Sequence, residues 1–293
     1  MEKIKELVGK ANILLEALPY IKKFSNNIMV VKIGGEPMID EELKNNIALD
    51  IILMKYVGIN VVVIHGGGKQ ISNLMHKLGK KAVFINGLRV TDKETMEITE
   101  MVLTGMINKD LVGVINKHGG EAVGISGRDG NLIESIKKIN EHSKEDLGFV
   151  GEINKINPKI IKTLIEHGFI PVISPVSVGP NGEAFNINAD TAAGSVAAAL
   201  NAEKLIILSD VRGIYKDIEN PDSFMPTITL KEVRELIKAN IIQKGMLPKV
   251  NACIQGLQNG VGKAHIIDGK ISHSLLLELF TEAGVGTEII LER

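Results

Sequence analysis

The chain has 293 residues, 44% of them hydrophobic and 24% charged, which excludes a disordered chain and leaves room for one large α/β unit or two modest lobes. Lys and Arg total 34 against 35 Asp and Glu, so no single-sign field exists to recruit nucleic acid or an acidic membrane surface, and an anionic ligand must be bound by local geometry. One cysteine, Cys253, excludes an internal disulfide framework and a Cys-based zinc site and fits a reducing, cytoplasmic compartment; aromatics at 3% with no Trp leave few stacking platforms.

Near the N-terminus, Lys3, Lys5, Glu6, Lys10 and Glu16 interrupt any signal-peptide pattern, and no apolar run reaches membrane-spanning length. Ile4, Leu7, Ala11, Leu14, Leu18 and Ile21 alternate spacings of three and four and draw one apolar stripe along a helix. Two coverings of that stripe stay open: the helix packs on its own domain, or it serves as an oligomer contact. Pro19 is expected to kink or segment the helix, and Ser25-Asn26-Asn27 reads as a break after it.

From residue 28 onward, short aliphatic runs alternate with helical patterns, the signature of a largely parallel sheet covered by helices on both faces. Strands are expected at 28–33, 61–64, 83–85, 122–125, 169–173, 205–208 and 264–267. Helices are expected near 40–57, 69–78, 92–104, 107–117, 158–167, 190–200, 230–239, 247–258 and 273–280. Residues 126–156 mix Gly, charge and short apolar runs and read as hairpins projecting from the sheet. A lobe boundary is placed near Gly179-Pro180-Asn181-Gly182.

Two of the strands end in glycine clusters, Val31-Lys32-Ile33-Gly34-Gly35 and His65-Gly66-Gly67-Gly68. Ligands of open α/β sheets bind beyond the carboxyl ends of strands, where glycine lets backbone N–H groups approach an anion. The second cluster also runs into a helix starting near Lys69, which adds the positive end of a helix dipole. Either cluster alone reads first as a tight turn; the pair, after neighbouring strands, points to a phosphate or carboxylate cradle. Gly66-Gly67-Gly68-Lys69-Gln70-Ile71 lacks the third glycine of a dinucleotide fingerprint, and Gly262-Lys263-Ala264 lacks the upstream glycine and the hydroxyl residue of a P-loop. His65 reads as a turn residue, and none of the seven histidines forms a metalloprotease or nucleophile-base pattern.

Lys32 interrupts an aliphatic strand beside Gly34, and Lys249 follows Pro248 at a helix start, off the stripe of Val250, Cys253, Ile254 and Leu257. Alone, each reads as a solvent-reaching lysine; beside a glycine cradle, an ammonium can neutralise charge on a transferring group. Asn186, Asn188 and Asp190 precede a small-residue helix and cannot all be its caps. Leu208-Ser209-Asp210-Val211 ends another strand, which Gly213-Ile214-Tyr215 is expected to continue.

Together with Asn86-Gly87-Leu88-Arg89-Val90-Thr91 and Gly245-Met246-Leu247-Pro248-Lys249, this ordered set resembles the amino-acid kinase family over residues 28–293, in the branch acting on acylated acidic amino acids. The resemblance implies a three-layer α/β/α sandwich with a largely parallel central sheet, preceded by an oligomerisation helix over residues 1–25. Within the kinase domain, 26–293, it implies an acyl-substrate lobe at 26–180 and a nucleotide lobe at 181–293.

The implied reaction is transfer of the γ-phosphoryl group of ATP, with Mg2+ carried by the nucleotide and no protein metal ligand nominated, to the γ-carboxylate of N-acetyl-L-glutamate. Lys32 and Lys249 are then expected to stabilise the transferring group, Asp190 to hold the lysines, and Gly34, Gly35, Gly67 and Gly68 to bind oxygens through their amides. Arg89 and Asn186 are expected at the α-carboxylate and acetamido end, and Ser209, Asp210 and Tyr215 near the nucleotide.

Arginine-sensitive members of the family also imply arginine as an inhibitor, a hexameric ring of dimers linked by N-terminal helices, and arginine contacts from Tyr20, His265, Glu282 and Gly284. The supporting tail runs Glu282-Ala283-Gly284-Val285-Gly286-Thr287-Glu288. The N-terminal helix and this tail speak against an alternative kinase for carrier-protein-linked glutamate or aminoadipate. Retention of Lys32, Asp190 and Lys249 speaks against a third reading, a non-catalytic arginine or nucleotide sensor.

Overall fold

A computed structural model describes residues 2–139, 145–282 and 284–292. It opens with helix α1, Glu2–Phe24, followed by β1, Ile28–Ile33, then α2, Glu41–Tyr56, and β2, Asn60–His65. Next come α3, Gly68–Lys77; the short strands β3, Phe84–Ile85, and β4, Leu88–Arg89; and α4, Lys93–Glu100. A π-helical turn, Met101–Ile107, leads into α5, Asn108–Lys117, and β5, Ala122–Ser126. Strands β6, Ile133–Lys137, and β7, Gly151–Ile156, precede α6, Lys159–Glu166, and β8, Ile170–Ser174. Then follow β9, Val176–Val178, β10, Ala184–Asn186, α7, Ala189–Ala199, and β11, Lys204–Ser209. The chain closes with β12, Thr227–Thr229, α8, Leu230–Lys238, α9, Leu247–Gln258, β13, Lys263–Asp268, α10, Ser274–Phe280, and β14, Thr287–Ile290.

Eight strands form the central sheet in the order β12-β14-β13-β11-β1-β2-β8-β5, all neighbours parallel except β13 and β14. Parallel strands need both faces covered, and the aliphatic runs supply two cores. Met29, Val31 and Ile33 of β1 share one with α2, α3, α5 and α10; Val30 of β1 shares the other with α6, α7, α8 and α9. The result is the expected three-layer arrangement. Ala192, Ala193 and Gly194 let α9 close on α7, where a Cβ on Gly194 would lie 2.6 Å from Ala252 O. That close approach sets Lys249, in the first turn of α9, beside the N-terminus of α7. No helix among the described residues is long and apolar enough to cross a membrane.

The hairpins expected at 126–156 are present as β6 and β7, which join β9 and β10 in a separate four-stranded sheet; residues 140–144 lie outside the described residues. The Gly179–Gly182 turn falls inside the β9–β10 hairpin, so the chain leaves this small sheet only after Asn186.

Four local expectations are corrected. Residues 83–85 contribute only a two-residue ribbon with β4, outside the central sheet. The helices expected at 92–104 and 107–117 are joined by the π turn rather than a break. Helix α1 runs through Pro19 unbroken, since a proline removes one hydrogen bond and the rest of the ladder remains. The segment Gly213-Ile214-Tyr215 does not continue β11, which ends at Ser209; Tyr215 makes only an isolated antiparallel bridge to Phe224. The Ser25–Asn27 break is present and is tied down by Asn26 N–H donating to Gly58 O at 2.7 Å and Asn60 N–H to Asn27 O at 2.9 Å.

Candidate active site

The chain runs from β1 to β2 on one side of β1 and later returns as β11 on the other, so the carboxyl ends of β1 and β11 flank a topological switch point. Lys32, Gly34, Gly35, Ser209 and Asp210 all fall there. Lys32 lies on the α7 side of β1 and folds back over Gly34, where a Cβ would stand 2.5 Å from Lys32 Nζ. Its ammonium meets Asp190 Oδ1 at 2.7 Å, an ion pair in which both side chains are 9% exposed. Asp190 sits in the first turn of α7, whose N-cap Asn188 accepts from Asp190 N–H at 2.8 Å and Thr191 N–H at 3.0 Å. The carboxylate thus lies between the lysine ammonium and the positive end of the helix.

Gly35 has φ +75° and no room for a side chain: a Cβ would lie 2.1 Å from Asp210 Oδ1, which instead accepts the Glu36 N–H at 2.9 Å. Asp210 therefore ties the Gly34-Gly35 loop to the end of β11. Half-buried Lys249 donates to Gly245 O at 2.9 Å. Burial lowers its pKa; Asp190 and Asp210 oppose that shift, while the Lys32 charge adds to it.

Two cavities meet at Lys32. The larger, about 1090 Å³, is lined by Gly34, Gly35, Ser209, Asp210, Tyr215 and Lys249 as well as Lys32. The smaller, about 210 Å³, is lined by Gly67, Gly68, Arg89, Asn186 and Asp190 in addition to Lys32. Ser209 is buried opposite Asp268 on β13, and the Tyr215 ring packs against Phe224 with centroids 5.3 Å apart.

At the smaller cavity, Arg89 is buried, with Nη2 donating to Gly68 O at 2.8 Å and Ser72 Oγ at 2.9 Å and the guanidinium 4.7 Å from the Phe84 ring centroid. Burial lowers its pKa, and no carboxylate pairs with it among the described residues. Asn186 Nδ2 donates to Thr91 Oγ1 at 3.3 Å, and that hydroxyl donates to Arg89 O at 2.8 Å. The Gly67 and Gly68 amides donate to nothing among the described residues, at the uncapped start of α3. The arrangement can take an anion between a helix N-terminus, a buried guanidinium and an ammonium.

His65 is corrected: it is the last residue of β2 and completely buried, not part of a turn. Burial holds its imidazole down to about 4, so it is neutral near pH 7. Its partner Asn108 went unnoticed in the sequence, where an asparagine inside a helical pattern carries no signal.

Away from these cavities, His265 and Gly284 belong to a cluster that also includes Lys204 and Glu278, where a Cβ on Gly284 would lie 2.8 Å from Glu278 Oε2. Lys204 Nζ donates to His265 Nε2 at 2.8 Å and His265 Nδ1 lies 2.7 Å from Glu278 Oε1. Glu278 Oε2 accepts from the Val285 N–H at 2.7 Å and the Gly286 N–H at 3.0 Å. Burial pushes Lys204 down to about 8, whereas Glu278, despite its burial, is held below its usual range by His265 and these two amides. Glu282 is exposed beyond the end of α10, so the carboxylate against His265 is Glu278; Ala283 lies outside the described residues. Glu278 was legible only as one polar position in an apolar helix. Tyr20 is half-buried against the core on the α10 side.

A three-layer α/β protein with two glycine-edged cavities joined at a lysine-aspartate pair at the switch point belongs to the class that binds and moves anionic groups. The chain belongs to the amino acid kinase family, whose model matches residues 27–268. It is 51% identical over 288 residues to the acetylglutamate kinase of Caldanaerobacter subterraneus subsp. tengcongensis, covering 98% of this chain and 95% of that one. Among solved structures, it is similar to the N-acetylglutamate synthase of Neisseria gonorrhoeae complexed with coenzyme A and N-acetyl-glutamate, with TM-score 0.84 and 28% identity over 97% of this chain. The same synthase complexed with coenzyme A and L-arginine matches with TM-score 0.81 and 26% identity over 96% of this chain. This chain spans 64% and 65% of the synthase chain in those two structures.

Proposed function

We infer that this chain transfers the γ-phosphoryl group of ATP to the side-chain carboxylate of N-acetyl-L-glutamate, forming an acyl phosphate for arginine biosynthesis. The observation that carries the reading is Lys32, held by Asp190 on the wall shared by two cavities. The larger is of nucleotide size and the smaller suits a compact dicarboxylate. The half-identical acetylglutamate kinase supports the choice of acceptor.

The chemistry explains why the site has no general base. A carboxylate is already ionised at neutral pH, so no proton has to leave it. The obstacle is repulsion between two anions, and catalysis is positioning plus charge stabilisation. Lys32 and Lys249 take the charge on the transferring group, and Asp190 keeps Lys32 in place. The Gly34, Gly35, Gly67 and Gly68 amides bind oxygens. Arg89, lacking a carboxylate partner of its own, takes the α-carboxylate, with Asn186 beside it. Ser209, Asp210 and Tyr215 lie by the nucleotide in this reading. Mg2+ arrives on the ATP oxygens in this reading, with no protein ligand nominated. Bound there, it neutralises phosphate charge.

Trapping the product with hydroxylamine tests the assignment: hydroxamate must form from N-acetyl-L-glutamate with ATP and Mg2+. Turnover of carrier-linked glutamate without any hydroxamate from the free substrate would reverse it.

A regulatory reading is part of the same proposal. Ile4, Leu7, Leu14 and Leu18 of α1 are exposed, Ile4 at 66% and Leu14 at 74%, so the stripe is not covered by its own chain. Pairing with the same stripe on another copy buries both, and such pairing links dimers into a hexamer. Arginine binds between α1 and the segment after α10, with contacts from Tyr20, His265, Glu282 and Gly284, and favours an assembly that binds substrate poorly. The synthase of the same fold solved with L-arginine supports arginine as the ligand, and the single buried Cys253 suits a cytoplasmic enzyme.

A further inference from the structure

His65 lies beside the second glycine turn, and its two ring nitrogens face different partners. Nδ1 is 3.1 Å from Gly66 O, and Nε2 is 3.2 Å from Asn108 Nδ2. The Asn108 amide has one tenable orientation. Its nitrogen also lies 3.0 Å from Val172 O and 3.4 Å from Ile125 O, so an oxygen in its place would face two carbonyls. Nε2 must therefore accept, which leaves the single ring proton of a neutral imidazole on Nδ1, directed at Gly66 O.

Asn108 is delivered by the π turn Met101–Ile107, a helical irregularity that recurs at functional sites. The same turn closes on the glycine loop: a Cβ on Gly67 would stand 2.4 Å from Ile107 Cδ1 and 2.7 Å from Leu103 Cδ2. Gly67 is therefore pressed from one side while Gly66 O is held from the other. In a trans peptide the C=O and the following N–H lie on opposite edges of one plane. The bond that turns Gly66 O toward His65 turns the Gly67 N–H away from it, and Gly66, Gly67 and Gly68 line the smaller cavity.

We propose that His65, fixed as its Nδ1–H tautomer by Asn108, is a positioning residue that aims the Gly67 N–H into the smaller cavity, toward an oxygen of the carboxylate or of the transferring phosphoryl group. The proposal rests on the kinase reading above. A donor already aimed needs no reorganisation when charge develops, which is where such groups act most strongly. An apolar side chain of similar volume would fill the space but leave Gly66 O unpartnered and its peptide plane free to turn.

Two measurements decide it. Imidazole nitrogen NMR of the wild-type enzyme, with His65→Asn identifying the His65 signals, reads the tautomer directly. Protonated Nδ1 and bare Nε2 are expected; a proton on Nε2 overturns the proposal. In steady-state kinetics, His65→Phe lowers kcat by about 10- to 100-fold, the scale of a mispositioned group, with acceptor KM within about threefold. His65→Asn, whose amide N–H reaches the Nδ1 position, recovers most of that loss. A wild-type kcat in His65→Phe, or equal losses in both variants, overturns the proposal. A wild-type enzyme that forms no hydroxamate from N-acetyl-L-glutamate defeats the kinase reading instead, while the tautomer result still decides the local geometry.

Discussion

Lys32 and Asp190 stand on different elements, β1 and α7, yet their charged atoms lie 2.7 Å apart with each side chain 9% exposed. Either partner alone at that depth would carry a heavy desolvation cost, and removing one leaves the other uncompensated. Asp190→Asn is accordingly expected to lower unfolding free energy by about 3 kcal/mol in urea denaturation. The double variant Lys32→Met, Asp190→Asn, with no charge left over, recovers most of that stability while remaining inactive. Equal losses in both variants would show that the charge balance is not what matters.

Lys249 has no carboxylate in hydrogen-bond contact among the described residues and donates only to Gly245 O, so its ammonium is free to turn to a phosphoryl oxygen. Lys249→Ala lowers kcat by roughly two to three orders of magnitude, the range for losing one preorganised charge stabiliser. The hydroxamate assay at saturating ATP and acceptor measures it.

Arg89 faces the non-reacting end of the acceptor in the proposed pose and binds ground and transition states alike. Arg89→Ala is expected mainly to raise KM for N-acetyl-L-glutamate, leaving kcat within about tenfold. Loss of kcat with unchanged KM would move Arg89 into the chemistry. Steady-state curves over acceptor concentration separate the two.

Burial raises the Asp50 carboxyl to about 6, even though His273 Nδ1 lies 2.6 Å from its Oδ1. An unfolded aspartate titrates near 3.8, so between the two values the folded chain holds a proton that the unfolded chain lacks. The stability this contributes is complete below the unfolded value and is lost as pH rises through the folded one. Asp50→Asn cannot titrate. Its stability relative to wild type should therefore rise by about 2–3 kcal/mol between about pH 4 and pH 7, read from urea midpoints.

Deleting residues 1–24 removes the exposed stripe of α1 together with Tyr20. The truncated enzyme is expected to form smaller particles in light scattering, to keep its activity and to lose inhibition by arginine. Normal inhibition of the truncated form, or a full-length dimer, would defeat the regulatory reading.

The sequence by itself determined the alternation of strands and helices, since aliphatic runs at 28–33, 61–64 and 205–208 can be buried only as parallel strands covered on both faces. It also marked the polar and glycine positions at strand ends, because Lys32, Gly34, Gly66 to Gly68 and Asp210 stand out against apolar neighbours. Tertiary structure alone decided which of these meet. Lys32 and Asp190 are 158 positions apart and become an ion pair through the packing of α7 on β1, and Lys249 joins them because Gly194 admits α9 at close range. His65, read as a turn residue, proved to be a buried strand end. Its partner Asn108 left no pattern and Glu278 showed only as one polar position in an apolar helix, since a polar residue inside a helix looks the same in sequence whether it faces water or another helix. Periodicity records which face is apolar; only packing decides which polar group is enclosed and with what partner.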